Sequence, residues 1–166
     1  MFAAKLHQHP TRNCSGFTYM AALVLLSIVA VAATYAFSIG EAAHRRDLEM
    51  ELIYVGKQYQ LALRRYAAVT PPGYSRHPRS LDDLLLDSRL PGTVRHIRQL
   101  YPDPITRQSD WLVHRNSIGE VVAISSRSTL APIKTSGFDT ESSGFENAAS
   151  YQDWVFGVNP APTQRR

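Results

Sequence analysis

The 166 residues carry a formal charge of +4, yet Lys5 and Arg12 are the only charged residues in the first forty positions, which leaves 16 basic against 14 acidic residues in the remainder. A nearly neutral main body without a Lys/Arg block interleaved with aromatics argues against a nucleic-acid partner. The single cysteine, Cys14, excludes a disulfide framework and a cysteine-based zinc site, and about 126 residues past the apolar segment suffice for one small core but not for a second catalytic domain.

The first feature along the chain is a polar leader followed by 24 uncharged residues, Phe17 to Gly40. As a helix this run is roughly 36 Å long at 1.5 Å per residue, enough to span a hydrocarbon core. A cleaved secretory signal is an alternative, with Ala30-Val31-Ala32 as its small-x-small site, but the apolar run continues past that site. A lipoprotein requires its cysteine after the apolar segment, and Cys14 precedes it. Small residues at Ala21, Ala22, Ser27, Ala30 and Ala33 would let neighbouring helices approach closely in lipid.

Past Gly40 the helical pattern continues. Leu48, Leu52, Val55, Tyr59, Leu63 and Tyr66 recur at steps of three and four, one face of an amphipathic helix. Gly56 interrupts that helix at a cost of about 1 kcal/mol relative to Ala and marks a place of close packing. Thr70-Pro71-Pro72-Gly73-Tyr74 ends it, because two prolines cannot continue a helix.

The remainder reads as a short mixed head. Ser80 to Asp87 suggests a short helix with Ser80 as N-cap and acids in its first turn. Thr93 to Leu100 suggests another helical turn or two, broken at Tyr101-Pro102-Asp103-Pro104. Asp110 to Arg115 and Glu120 to Ser126 are β-rich and joined by Asn116-Ser117-Ile118-Gly119, which predicts a hairpin. A long loop follows, then a third predicted strand over Tyr151 to Val158 and a frayed tail over 159–166. The fold class is therefore α+β: a long N-terminal helix packed on a small antiparallel sheet.

Catalytic patterns are missing from the sequence. There is no G-x-S-x-G elbow and no H-E-x-x-H, and His77, His96 and His114 fall on three different segments. Asp82 and Asp83 suit a helix N-terminus, and Asp103 between prolines suits a turn. Asp139, Glu141, Glu146 and Asp153 put carboxylates near the end of the chain. Oxygen ligands of this kind suit Ca²⁺, although the spacing is not that of an EF-hand. The plainer reading is a solvated acidic loop closed by Phe138, Phe145 and Trp154.

The junction Ser15-Gly16-Phe17-Thr18, between a basic, acid-free leader and a spanning apolar run, resembles the N-terminus of type IV pilins and type II secretion pseudopilins. The later run LYPDPITRQSDWLV, GEVVAISS and PIKTSGFD followed by FENAASYQDWVF is similar in order and spacing to a pseudopilin-like subgroup with a major-pseudopilin type of head. The resemblance implies a leader at 1–16, cleavage between Gly16 and Phe17 by a prepilin peptidase, and N-methylation of Phe17. It implies a transmembrane half at 17–40, an amphipathic half at 41–69 and a head at 70–158, with the chain crossing the inner membrane once and its head in the periplasm. Its implied partners are other pseudopilins, an assembly ATPase and an inner-membrane platform protein, and its work is mechanical rather than enzymatic. Ca²⁺ in the Asp139–Asp153 loop is the one ion the resemblance suggests. The chain departs from the family at the fifth mature position, where Ala21 replaces the usual glutamate and suggests a minor or tip subunit or a divergent subgroup. A reading from another class is a membrane-tethered periplasmic binding module or enzyme behind an ordinary signal anchor.

Overall fold

The structure, a computed structural model, describes residues 15–158. One α-helix, α1, runs from Ser15 to Ala68, and the chain divides into two compact units between Ala42 and Ala43. The part of α1 nearest the N-terminus is long and apolar enough to cross a membrane, with an 18-residue window of mean hydropathy 2.3 that is 0% buried within the chain. Two of its hydroxyls are satisfied inside the helix: Ser27 donates to the Leu23 carbonyl at 2.8 Å and Thr34 to the Ala30 carbonyl at 3.0 Å. That is what a polar side chain needs where no water can reach it.

The second unit has its own core. Leu52, Val55, Tyr59, Leu63 and Tyr66 of α1 are buried, as the three-and-four spacing predicts, and they cluster with Trp111, Val121, Ile124 and Phe156. Burying each such side chain contributes about 1.5–3 kcal/mol. The sheet has three antiparallel strands in the order β1-β2-β3: β1 (Leu112–Arg115), β2 (Val121–Ser125) and β3 (Phe156–Gly157). Leu112 pairs with Ser125 and His114 with Ala123, with an irregularity between His114 and Arg115, and Ile124 pairs with Phe156. The predicted hairpin turn is present. Asn116 donates its N–H to the Glu120 carbonyl at 2.9 Å, and its side-chain oxygen accepts from the N–H groups of Ile118 and Glu120. Gly119 takes the left-handed conformation at φ 85 that a side chain would resist.

Gly56 is the close approach that the sequence suggests. A Cβ there would stand 2.5 Å from atoms of the Phe156 ring, so only glycine lets α1 lie against β3 at this point. Gln60 secures the same contact, donating to the Gly157 carbonyl at 2.9 Å.

The end of α1 is closed by more than the two prolines. The Arg89 guanidinium lies 3.4 Å above the Tyr66 ring and donates to the Tyr66 carbonyl at 2.9 Å and to the Thr70 hydroxyl at 2.9 Å. A cation at a helix C-terminus meets carbonyls that have no intrahelical donor. Arg89 is held by Asp87 at 2.7 Å, and His96 lies 3.0 Å from the same carboxylate, all three being buried or nearly so.

Three local expectations are corrected. Ser80 is not an N-cap: the segment forms only a 3-10 turn, Asp82–Leu84, after Leu81. The capping runs the other way, with Asp83 accepting from the N–H groups of Arg79 and Ser80. Thr93 to Leu100 contains no helix, because its backbone pairs with the preceding segment: Asp87 donates to Val94, and His96 and Ile97 both donate to Leu84. Tyr151 to Val158 is not one strand. It opens as a 3-10 turn, Tyr151–Asp153, in which Ser150 and Asp153 form a capping box, and only Phe156–Gly157 pairs with β2. The local Ser–Asp cap outcompetes the extended conformation there.

Candidate functional site

Two places concentrate what the sequence singles out. The first is the N-terminal junction. Gly16 and Phe17 both lie in the first turn of α1, Phe17 is 78% exposed, and Ala21 follows one turn later, also exposed. Every large apolar residue recorded from Phe17 through Tyr35 is likewise exposed, so this surface has no cover among the described residues. Residues 1–14, with Lys5, Arg12 and Cys14, lie outside the described residues.

The second place is where the long loop after β2 is tied to the first turns of α1 inside the head. Glu49 is the centre of it. Although acidic, it is only 2% exposed, and its carboxylate accepts from the Ile133 N–H at 2.5 Å, the Lys134 N–H at 3.2 Å and the Tyr151 hydroxyl at 2.8 Å. Burial, followed by this bond to Glu49, pushes the Tyr151 phenol up to about 12. Arg45 donates to the Ala131 carbonyl at 3.0 Å, and Lys57 pairs with Asp139. Arg45, Glu49 and Lys57 are spaced by four and eight residues, so all three project from one side of the helix. The far end of the loop closes on aromatics. Phe145 stacks on Trp154 at 5.5 Å, and Phe138 meets both rings edge-on.

The acidic residues of this loop serve as local caps. Asp139 accepts from the Ser142 N–H at the start of the 3-10 turn Thr140–Phe145, and its carboxyl is held below the usual range mainly by Lys57. Asp153 accepts from the N–H groups of Ala149 and Ser150. Glu146 points to solvent, and the side chain of Glu141 is outside those described. Among the described residues no three His, Cys, Asp or Glu side chains come together as a metal site would require.

The remaining polar residues singled out by sequence also have structural occupations. Asp103 is fully buried and builds the turn: its carboxylate accepts from the Ile105 N–H at 2.9 Å and from the Ser126 hydroxyl at 2.5 Å. The neighbouring Tyr101 carbonyl accepts from Tyr59 at 3.0 Å and from the Trp111 indole at 2.8 Å, so the Tyr-Pro-Asp-Pro turn joins α1 to the strand that follows. His114 lies 2.9 Å from Ser125, a pairing that could activate a nucleophile. Ser125 is 0% exposed, however, so no substrate reaches it, and burial lowers the pKa of His114. His77 has its Nδ1 buried without a hydrogen-bond partner among the described residues.

Sequence reasoning missed the Glu49 pin and the Asp87–Arg89–His96 cluster. Glu49 was recoverable, since it falls three residues before Leu52 on the apolar stripe, where an acid needs buried partners. The cluster had no such signal, because its members are brought together by an irregular segment. No protein-family model, curated protein or solved structure matches the chain.

Proposed function

We propose that this chain is a pseudopilin-like structural subunit of a type II secretion system or a related type IV pilus machine. In this reading a prepilin peptidase cuts between Gly16 and Phe17 and methylates the new N-terminus. The shortened chain stays in the inner membrane through Phe17–Gly40 with its head in the periplasm. Other pseudopilins then pack against it, driven by an assembly ATPase and a membrane platform protein, and the short fibre moves cargo. The chain performs no catalysis of its own.

The observation that carries this reading is α1. One helix begins at the cleavage junction, continues through the uncharged run and ends as the helix on which the head core is built. Cutting at Gly16 would release a leader and spare both halves. The uncovered half has lipid or neighbouring helices as its natural surroundings, with small residues for close approach. Ala21 leaves the amine of Phe17 without the usual carboxylate. An isolated charge at bilayer depth costs at least about 2.5–3.5 kcal/mol. That penalty recurs with every copy in a homopolymer and only once at a tip, which favours a minor or tip position.

The experiment is co-production with a prepilin peptidase. The wild-type chain should be shortened by its leader, whereas Gly16→Val should remain full-length in the membrane, because a side chain crowds the approach of the protease to the backbone. A Gly16→Val chain trimmed at the same place would refute the assignment.

A further inference from the structure

We propose that the end of the head where α1 stops is a basic docking surface for an acidic segment of a partner protein. The near-neutral charge of the head hides two parts of opposite sign. Residues 64–98 hold seven arginines against three acids, whereas residues 41–63 and 99–158 hold seven cations against eleven acids. Those arginines are scattered in the sequence, and the fold gathers them. Arg89 is the hub. Besides closing α1 at the Tyr66 carbonyl, it donates to the Ser75 carbonyl at 2.6 Å, which brings the segment after the two prolines to the helix end beside Arg65. Its partner Asp87 donates its N–H to the Val94 carbonyl at 3.0 Å and so brings Arg95 to the same end. Arg115 donates to the Arg79 carbonyl at 2.8 Å and to the Gly119 carbonyl at 2.7 Å, which adds the β1–β2 turn.

The cations of this end are uncommitted and its acids are mostly not. Arg65, Arg76, Arg79 and Arg95 are exposed, and their side chains have no hydrogen-bond or ion-pair partner among the described residues. Asp83 is held by the N–H groups of Arg79 and Ser80, Asp87 by Arg89 and His96, and Glu120 by the Ser75 hydroxyl and Asn116. Asp82 is the exposed acid left to oppose four arginines. Among these charges stand large apolar side chains: Ile118 on the hairpin turn is 74% exposed, Tyr74 57% and Leu86 55%.

This composition favours an acidic protein segment over other anions. Guanidinium forks match carboxylates, and arginine and tyrosine are enriched where proteins meet. A polymer of phosphates would engage the arginines and leave the three apolar side chains wet, whereas an acidic segment with apolar residues of its own engages both. The chain enters the head at Ala43, roughly 33 Å of helix from Arg65 at 1.5 Å per residue, so an anchor joined there does not bring lipid to this end. A second copy has few acids to offer. Glu49, Asp103, Asp139 and Asp153 accept hydrogen bonds within the chain, Asp110 pairs with Arg127, and the exposed Asp47 and Glu51 are accompanied by Arg46. The inference does not depend on processing at Gly16.

The test uses the full chain in nanodiscs of neutral phosphatidylcholine and a fluorescein-labelled peptide that repeats Glu-Glu-Leu, followed by anisotropy. The expected result is saturable binding that weakens as salt rises and is absent for the Gln-Gln-Leu peptide. Arg76→Glu/Arg95→Glu should weaken it at least about tenfold, because each reversal sets like charges against each other. A second pair, Arg65→Gln/Arg79→Gln, reads the same loss in direction without adding acids. The control pair Arg46→Glu/Arg107→Glu, exposed arginines elsewhere on the head, should bind like the wild type. Binding that survives both pole pairs, or that falls equally in the control pair, overturns the proposal. So does tighter binding of a DNA duplex of similar charge, which would give the surface to phosphates. Salt-sensitive association of the discs with one another, lost in the pole pairs, would give it to a second copy and overturns the proposal as well.

Discussion

The two halves of α1 share one backbone and have opposite surroundings. From Phe17 to Tyr35 every recorded large side chain is exposed, whereas from Leu52 to Tyr66 one face is buried to within a few per cent. In the head half the chain supplies its own cover, and charged residues on the same helix reach out to fix a loop. Among the described residues nothing covers the first half, and the hydroxyls of Ser27 and Thr34 turn back onto the helix. A large exposed apolar surface marks a place for a membrane or a partner, whereas the buried face of the second half belongs to a core.

The largest expected effect tests whether the head half belongs to a domain of its own. A chain beginning at residue 43 should unfold cooperatively, and Leu52→Asp should abolish that transition. The substitution puts an unpaired carboxylate at a position with 0% exposure, a cost on the order of the whole stability of a small domain. If the Leu52→Asp head melts like the wild type, the helix does not form this core.

Next comes the pin between helix and loop. Glu49→Ala leaves two backbone N–H groups and the Tyr151 hydroxyl without their acceptor, each worth about 1–3 kcal/mol when buried. A loss of roughly 3–5 kcal/mol in chemical denaturation is expected, with faster hydrogen exchange confined at first to residues 127–150. Gly56→Val should cost less, about 1–3 kcal/mol, because the Phe156 ring has to move aside. The same substitution at Gly40, where a Cβ meets nothing within 4 Å, should leave the head unchanged.

The Asp87 carboxyl and the Tyr59 and Tyr151 phenols make stability depend on pH at the two extremes. Arg89 holds the Asp87 carboxyl well below its usual range against the opposing effect of burial, with His96 assisting. Its folded pKa is depressed, so its contribution is complete above about pH 4 and drains away as the pH falls. Burial raises Tyr59 and Tyr151 to about 12, so their contribution is complete below about pH 10 and is lost as the pH rises through 12. Thermal unfolding across pH should show both edges, and Arg89→Ala should move the acid edge upward. The smallest effect expected is none at all. Because Lys57, Glu49 and the Phe138–Phe145–Trp154 cluster already hold the loop, EDTA should leave the melting temperature unchanged, and a drop would restore a Ca²⁺ site to consideration.

Legibility in the sequence followed the periodic segments. The helix, its buried stripe, the glycine at its tightest contact and the β1–β2 hairpin all express a repeating pattern or a turn with fixed chemistry. The errors fall where side chains compete with the backbone. Asp83 caps backward onto Arg79 and Ser80, and Asp153 turns part of an expected strand into a 3-10 turn. The loop that looked merely acidic is instead anchored by one buried glutamate 84 residues away from its backbone partner, a pairing that no local window reveals. For the N-terminal junction the structure adds the helical setting of Gly16, Phe17 and Ala21, while the processing chemistry rests on the sequence pattern.

The most direct measurement is mass spectrometry of the mature N-terminus from cells that contain a prepilin peptidase. The account predicts a chain that begins at Phe17, carries a methyl group on its amine and remains in the membrane fraction. An intact Met1, or a chain beginning near Ala33, would contradict it and favour an ordinary signal anchor or a cleaved secretory signal.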